Sequence, residues 1–266
     1  MAQIDNLELL FSEIDLLKAE LQWHSRLQEQ AWLQAQAIEN TYHSNHLEGS
    51  SLSLRETELV IRTGLMLPGK SMAENLAALN HYQAIQFIRE QAGEHALLSE
   101  ELLKQLHALL SKALNRQQAG SYRTQAATLA NGQAATPPED LAGLMADFMR
   151  WTRLEGAFLH PIVFAAEILL RLETLQPFPT ANGLCARLAM NLILLEEGYP
   201  LLSINDDDVG RAAYCQALAN AQSDADKNAW FGFIAEQALH NAQRLFDRVQ
   251  AQADSLDYFL LGEQKL

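Results

Sequence analysis

Residues 175–188 read LQPFPTANGLCARL. Two prolines stiffen the approach, Ala181, Asn182 and Gly183 make a small-residue turn, and an apolar run carrying Arg187 follows. In that layout the backbone N–H groups of a helix N-terminus collect the oxygens of a phosphate or another anion. The groups that would do chemistry on the anion are missing, because the loop holds no histidine, carboxylate or metal ligand.

Helices must position this loop. Leu10, Ile14, Leu17 and Leu21 recur at intervals of four and three, one stripe of a helix; this first helix is expected to continue in some form to Glu48, where Gly49 offers a C-terminal stop. Ser53 with Glu56 and Ser71 with Glu74 form two S-x-x-E capping boxes, each ahead of an apolar periodic run. Ser99 with Glu100 and Glu101 opens a helix through LLKQLHALLSKAL, and TPPED at 136–140 combines a Thr cap, Pro at the first position and Glu139 at the third, predicting a helix to about Arg153. His160 and Pro161 introduce VFAAEILLRLETL, which Pro177 and Pro179 terminate. ARLAMNLILLEE is apolar nearly all round and belongs at the centre of a domain. Two more helices are expected over roughly 208–221 and 228–251. One segment departs from this pattern: in SYRTQAATLANGQAAT, Asn131 and Gly132 predict the turn of a small β-hairpin. The fold class is thus all-α with one hairpin flap. Its parts are an N-terminal helical region at 1–98, a core at 99–240, and a helix end and tail at 241–266.

The composition narrows the function. A chain of 266 residues with 48% hydrophobic residues can fill a substantial core. Its net charge of −14 opposes a broad basic surface, so neither nucleic acid nor an anionic membrane is an expected partner. No apolar stretch reaches transmembrane length and no secretory leader is visible, which predicts a cytoplasmic protein. Cys185 and Cys215 are the two cysteines and read as small packing residues.

QPFPTANGLCAR, 176–187, resembles a degenerate form of the motif HPFxDGNGRxxR of Fic (Fido) proteins. The surroundings agree: GSYRT at 120–124 is similar to the segment entering the family's hairpin flap, and HPIVFAAEILLRLETL resembles the helix leading into the motif. SNHLEGSSLSLRETE, 44–58, resembles the inhibitory helix (S/T)xxxE(G/N), which places Ser44, Glu48 and Gly49 at its defining positions. The resemblance covers most of residues 40–235 and implies a helical Fic bundle with a flap that carries Arg123, Asn131 and Gly132.

It also implies protein AMPylation, in which a motif histidine deprotonates a target hydroxyl that attacks the α-phosphate of ATP. Here that position is Gln176, which has no titratable group to act as a base. Thr180 replaces the acidic Mg²⁺ ligand, so Mg²⁺ lacks its protein partner, and Leu184 replaces the first phosphate-binding arginine. The catalytic set is therefore empty, while Asn182, Gly183 and Arg187 remain to hold ATP, another nucleotide or a simple anion. In autoinhibited relatives the inhibitory glutamate pairs with the second motif arginine, which predicts a bidentate salt bridge between Glu48 and Arg187. A structural reading stands beside it, a clamp joining the N-terminal helix to the core.

Three functions remain open: a nucleotide-binding or regulatory module without ordinary AMP transfer, a transferase of altered chemistry acting on a protein hydroxyl, and a partner-binding component of a toxin–antitoxin-like pair. The partners these imply are a protein target, a regulatory protein or a second copy of the chain. Elsewhere the expectations are structural. Arg123 reads as a solvated charge, His43 and His46 as ordinary polar residues, and His160 as a helix-start cap. Asp206–Asp208 reads as a cap with a solvated acidic face, and Phe178 as a core anchor.

Overall fold

The computed structural model describes residues 2–23, 30–112, 114, 117–129, 132–223 and 227–263. Their helices are α1 (Ala2–Gln22), α2 (Gln30–Leu47), α3 (Leu54–Thr63), α4 (Met72–Gly93), α5 (Glu100–Leu110), α6 (Leu141–Leu154), α7 (Pro161–Leu175), α8 (Asn182–Glu196), α9 (Asp208–Gln222) and α10 (Lys227–Glu263). No strand forms among the described residues, and none of the helices is long and apolar enough to cross a membrane.

The capping signals do what their chemistry requires. Glu56 and Glu74 donate their N–H groups to the Ser53 and Ser71 hydroxyls, and their carboxylates accept from the Ser53 and Ser71 N–H groups in return. A cap of this kind contributes about 1 kcal/mol. α8 lies at the centre with every residue from Gly183 to Leu194 buried, flanked by α7, α4 and α5. Burial of a leucine such as Leu188 or Leu192 contributes about 2 kcal/mol. Trp230 of α10 closes the core beneath α7 and donates its indole N–H to the Ala166 carbonyl at 2.9 Å.

Four expectations need correction here. The N-terminal stripe ends with α1 at Gln22, and α2 is a separate helix. α1 packs its Leu17 and Leu21 with Leu245 and Val249 of α10, whereas α2 packs on α4, and one straight rod cannot serve both faces. Thr136 does not cap α6; Pro138–Asp140 form a single 3₁₀ turn with Pro137 at its cap position and no side-chain cap bond, and the α-helix starts at Leu141. The last helix runs to Glu263 instead of ending near 251.

The hairpin is reduced to one antiparallel bridge between Thr128 and Ala134. Its turn is closed by bonds from Leu129 N–H to the Gln133 carbonyl and from Gly132 N–H to the Leu129 carbonyl, with Gly132 at φ +83°. Two short extended segments without a third strand cannot sustain a longer ladder. Asn131 lies outside the described residues.

Candidate functional site

The loop 176–181 joins the two central helices, and its shape is imposed by its neighbours. Phe178, buried as expected, stacks on His107 with ring centroids 4.1 Å apart. Burial lowers the His107 pKa to about 4, leaving a neutral ring whose Nδ1 accepts from Gly120 N–H at 3.0 Å. Asn182 spends its side chain on the loop itself: Oδ1 accepts from Phe178 N–H at 2.9 Å and Nδ2 donates to the Phe178 carbonyl at 2.8 Å. Any ligand contact it makes is therefore through the backbone. Gln176 and Ala181 both adopt left-handed backbone, at φ +42° and +57°. The alanine thus sits in a conformation that favours glycine, the residue found there in the family motif. Thr180 is exposed, and Leu184 is buried in the core.

Arg123 is not solvated. It is 5% exposed and directs its guanidinium at carbonyls of both segments, donating from Nε to Gln176 at 2.7 Å, from Nη1 to Gln125 at 2.9 Å and from Nη2 to Thr136. Its own N–H donates to the Pro177 carbonyl at 2.9 Å. The residue pins the flap segment onto the loop and satisfies carbonyls that the end of α7 leaves unpaired.

The opposite end of the loop meets α2. Ser44 and Glu48 lie one turn apart at its end, and Gly49, at φ +91°, turns the chain away. Arg187 donates from Nε to the Ser44 hydroxyl at 2.9 Å, and from Nη2 to the Ser44 carbonyl at 3.1 Å and to Glu48 Oε1 at 2.7 Å. The predicted salt bridge therefore forms, but through a single oxygen, because Ser44 takes the rest of that edge of the guanidinium. Nη1 faces Glu173 Oε1 at 3.7 Å, and Glu173 Oε1 accepts from the Tyr214 hydroxyl at 3.1 Å. Gly183 makes the convergence possible. A Cβ there would overlap the Glu48 carboxylate and stand 2.9 Å from Arg187 Nη1 and 3.1 Å from Glu173 Oε1.

Electrostatics follows from burial. Desolvation opposes the Arg187 charge, but Glu48, Tyr214 and Glu173 more than offset it and raise its pKa further. Burial raises the Glu173 carboxyl above its usual range, with Arg187 pulling it down and Glu48 pushing it up. These residues, with Leu47, Gln176, Ala181, Asn182, Arg211, Cys215 and Leu218, line a cavity of about 330 Å³. That volume is at the small end of ligand pockets.

Glu173, Tyr214 and Arg211 escaped the sequence reading. The signal for Glu173 was present: Glu167 has Arg171 four residues on, at 2.8 Å, whereas Glu173 in the same apolar run has Pro177. Asp206 also differs from its reading. It is buried and joins His43 Nδ1 at 2.7 Å to His46 Nδ1 at 2.6 Å, so the two histidines are not ordinary surface residues but a clasp between α2 and the approach to α9. Asp207 caps α9 by accepting from Gly210 N–H, and His160 caps α7 while stacking on Phe11, both as expected.

Residues 97–194, which include the whole loop and Arg187, match the Fic/DOC family model. The chain is a Fic-domain protein. Among curated relatives, the protein adenylyltransferase Fic of Nematostella vectensis is 30% identical over 202 residues, 74% of this chain and 46% of the relative. The Drosophila melanogaster protein of the same name is 28% identical over 200 residues, 75% of this chain and 40% of the relative. The Fic-domain chain thus spans less than half the length of these relatives. Fic-1 from C. elegans superposes with a TM-score of 0.82 at 22% identity, covering 93% of this chain and 74% of that one, and so shares the fold. The shared fold thus extends beyond the residues that match the family model.

Proposed function

We propose that this Fic-domain chain is a nucleotide-binding regulatory module that has lost ordinary ATP-dependent protein AMPylation. The observation that carries the proposal is Gln176 on the cavity wall where the family's general base stands. A glutamine cannot take a proton from a target hydroxyl, and loss of a general base typically costs about 10²–10⁴-fold. The exposed neutral hydroxyl of Thr180 and the buried Leu184 remove the Mg²⁺ ligand and a phosphate cation as well. What remains favours binding: the N-terminus of α8, a glycine without a side chain in the way, and Arg187. The adenylyltransferase names of the relatives point to ATP as the nucleotide. Glu48 is the gate in this reading, because its carboxylate lies against Gly183 where phosphate oxygens would approach.

The test is paired. The Glu48→Gly variant, incubated with α-labelled ATP, Mg²⁺ and a lysate, is expected to bind ATP in calorimetry and to transfer no label to itself or to lysate proteins. Robust transfer that disappears when Asn182 or Arg187 is replaced would overturn the proposal.

A second reading draws on Glu173. A carboxylate in the same cavity with a raised pKa has the chemistry of a base supplied from elsewhere. On that reading the chain is a transferase of altered chemistry onto a protein hydroxyl, and Glu173→Gln abolishes whatever labelling is seen.

A further inference from the structure

A polyphosphate needs more than one fixed cation, and the usual source of the second is gone, since Leu184 packs in the core. Arg187 is committed to Ser44, Glu48 and Glu173. One other guanidinium reaches the cavity wall, that of Arg211 in the first turn of α9. Its Nη2 donates to the His46 carbonyl at the end of α2. Its Nε is buried without a hydrogen-bond partner, and among the described residues no carboxylate stands within ion-pair distance of it. An arginine carries five N–H donors, and a buried one left unpaired is costly unless a ligand supplies the acceptor.

We propose that Arg211 is the second phosphate-binding cation of this cavity, doing from α9 what position 184 no longer does from α8. The inference rests on the reading that the cavity takes a nucleotide. The ligand class is a nucleoside polyphosphate whose phosphate chain lies between Arg187 and Arg211. α9 is well anchored for the task, because Asp206, just ahead of it, is clasped by His43 and His46.

Calorimetry with ATP, inorganic tripolyphosphate and adenosine on three otherwise identical proteins tests this: Glu48→Gly, Glu48→Gly with Arg211→Met, and Glu48→Gly with Arg211→Lys. Cys215 supplies a second readout. It is the exposed one of the two cysteines and lines the cavity, so ligand binding slows its alkylation. Arg211→Met is expected to weaken ATP and tripolyphosphate at least tenfold, to leave adenosine and the thermal midpoint unchanged, and to be partly rescued by Arg211→Lys. ATP affinity within twofold of the parent overturns the proposal and leaves the nucleotide reading intact. Equal loss of all three ligands with a lowered midpoint also overturns it, in favour of a purely structural bond to His46. If Glu48→Gly itself binds no ATP and leaves Cys215 unprotected, the nucleotide reading fails and takes this proposal with it.

Discussion

Arg187 and Glu48 form an unequal pair: 2.7 Å apart, with side chains 5% and 42% exposed. One partner is sealed in the core and the other faces the cavity. The two residues are thus expected to differ sharply when replaced. Arg187→Met leaves Glu173 buried beside Glu48 without a cation, and is expected to cost about 3 kcal/mol or more. Glu48→Gln removes a group that water already reaches, leaves Arg187 its bonds to Ser44, and is expected to cost less than about 1 kcal/mol. Urea denaturation of both variants checks this; equal losses would mean that Glu48 is a structural clamp and not a gate.

Ala181 holds φ +57° as the residue preceding α8. A side chain in that region costs about 1–2 kcal/mol, part of which glycine returns through its freer unfolded chain. Ala181→Gly is therefore expected to stabilise the protein by about 0.5–1 kcal/mol. Chemical denaturation would count against the strain if it gave the usual destabilisation of a glycine inside a helix.

Two buried histidines make acid costly. Burial, and secondarily Arg187, lowers the His81 pKa to about 3, and burial lowers that of His107 to about 4. Unfolded histidines bind protons near pH 6.5, so below that pH the unfolded chain gains protons that the folded one refuses. This contribution to stability is complete above pH 6.5 and declines as pH falls towards 4. Glu196 works in the opposite sense, since burial and the neighbouring Glu197 raise its pKa to about 7. Comparison with a variant isolates the histidine. The stability gap between the parent and His107→Gln is expected to narrow by roughly 1.2 kcal/mol per pH unit between pH 6 and 4.5. A gap independent of pH would show that His107 is charged in the fold.

Arg123 ties the flap segment to the motif loop through carbonyls alone. Arg123→Ala is expected to cost about 3 kcal/mol by leaving several of them buried and unpaired. It should also open residues 121–136 to thermolysin while the helical signal in circular dichroism stays unchanged. Unaltered protease resistance would mean that the bridge between Thr128 and Ala134 holds the segment by itself.

What could be read in the sequence was local or carried by the family resemblance. The capping boxes, the nearly all-apolar α8, the glycine stop at 49 and the core position of Phe178 are set by neighbours a few residues away. The Glu48 and Arg187 pair was legible because both ends lie in recognisable motifs. What escaped depends on distant partners: Asp206 meets histidines about 160 residues away, and Tyr214 reaches Glu173 across 41. A run of three aspartates looks solvated until a helix carrying two imidazoles is packed against it. The positive φ of Ala181 was open for a different reason, since a glycine position filled by another residue does not disclose whether the backbone has moved.

The Arg187 contacts also bear on which part of the chain can fold alone. Residues 97–194 carry the family signature, but Arg187 draws its hydroxyl, carbonyl and one carboxylate from α2, and Trp230 from α10 fills the space under α7. A fragment trimmed to the signature would expose the apolar sides of α7 and α8 and strand a guanidinium. The segment carrying Ser44 and Glu48 is therefore a packing partner of the motif loop, and α10 is a packing partner of α7.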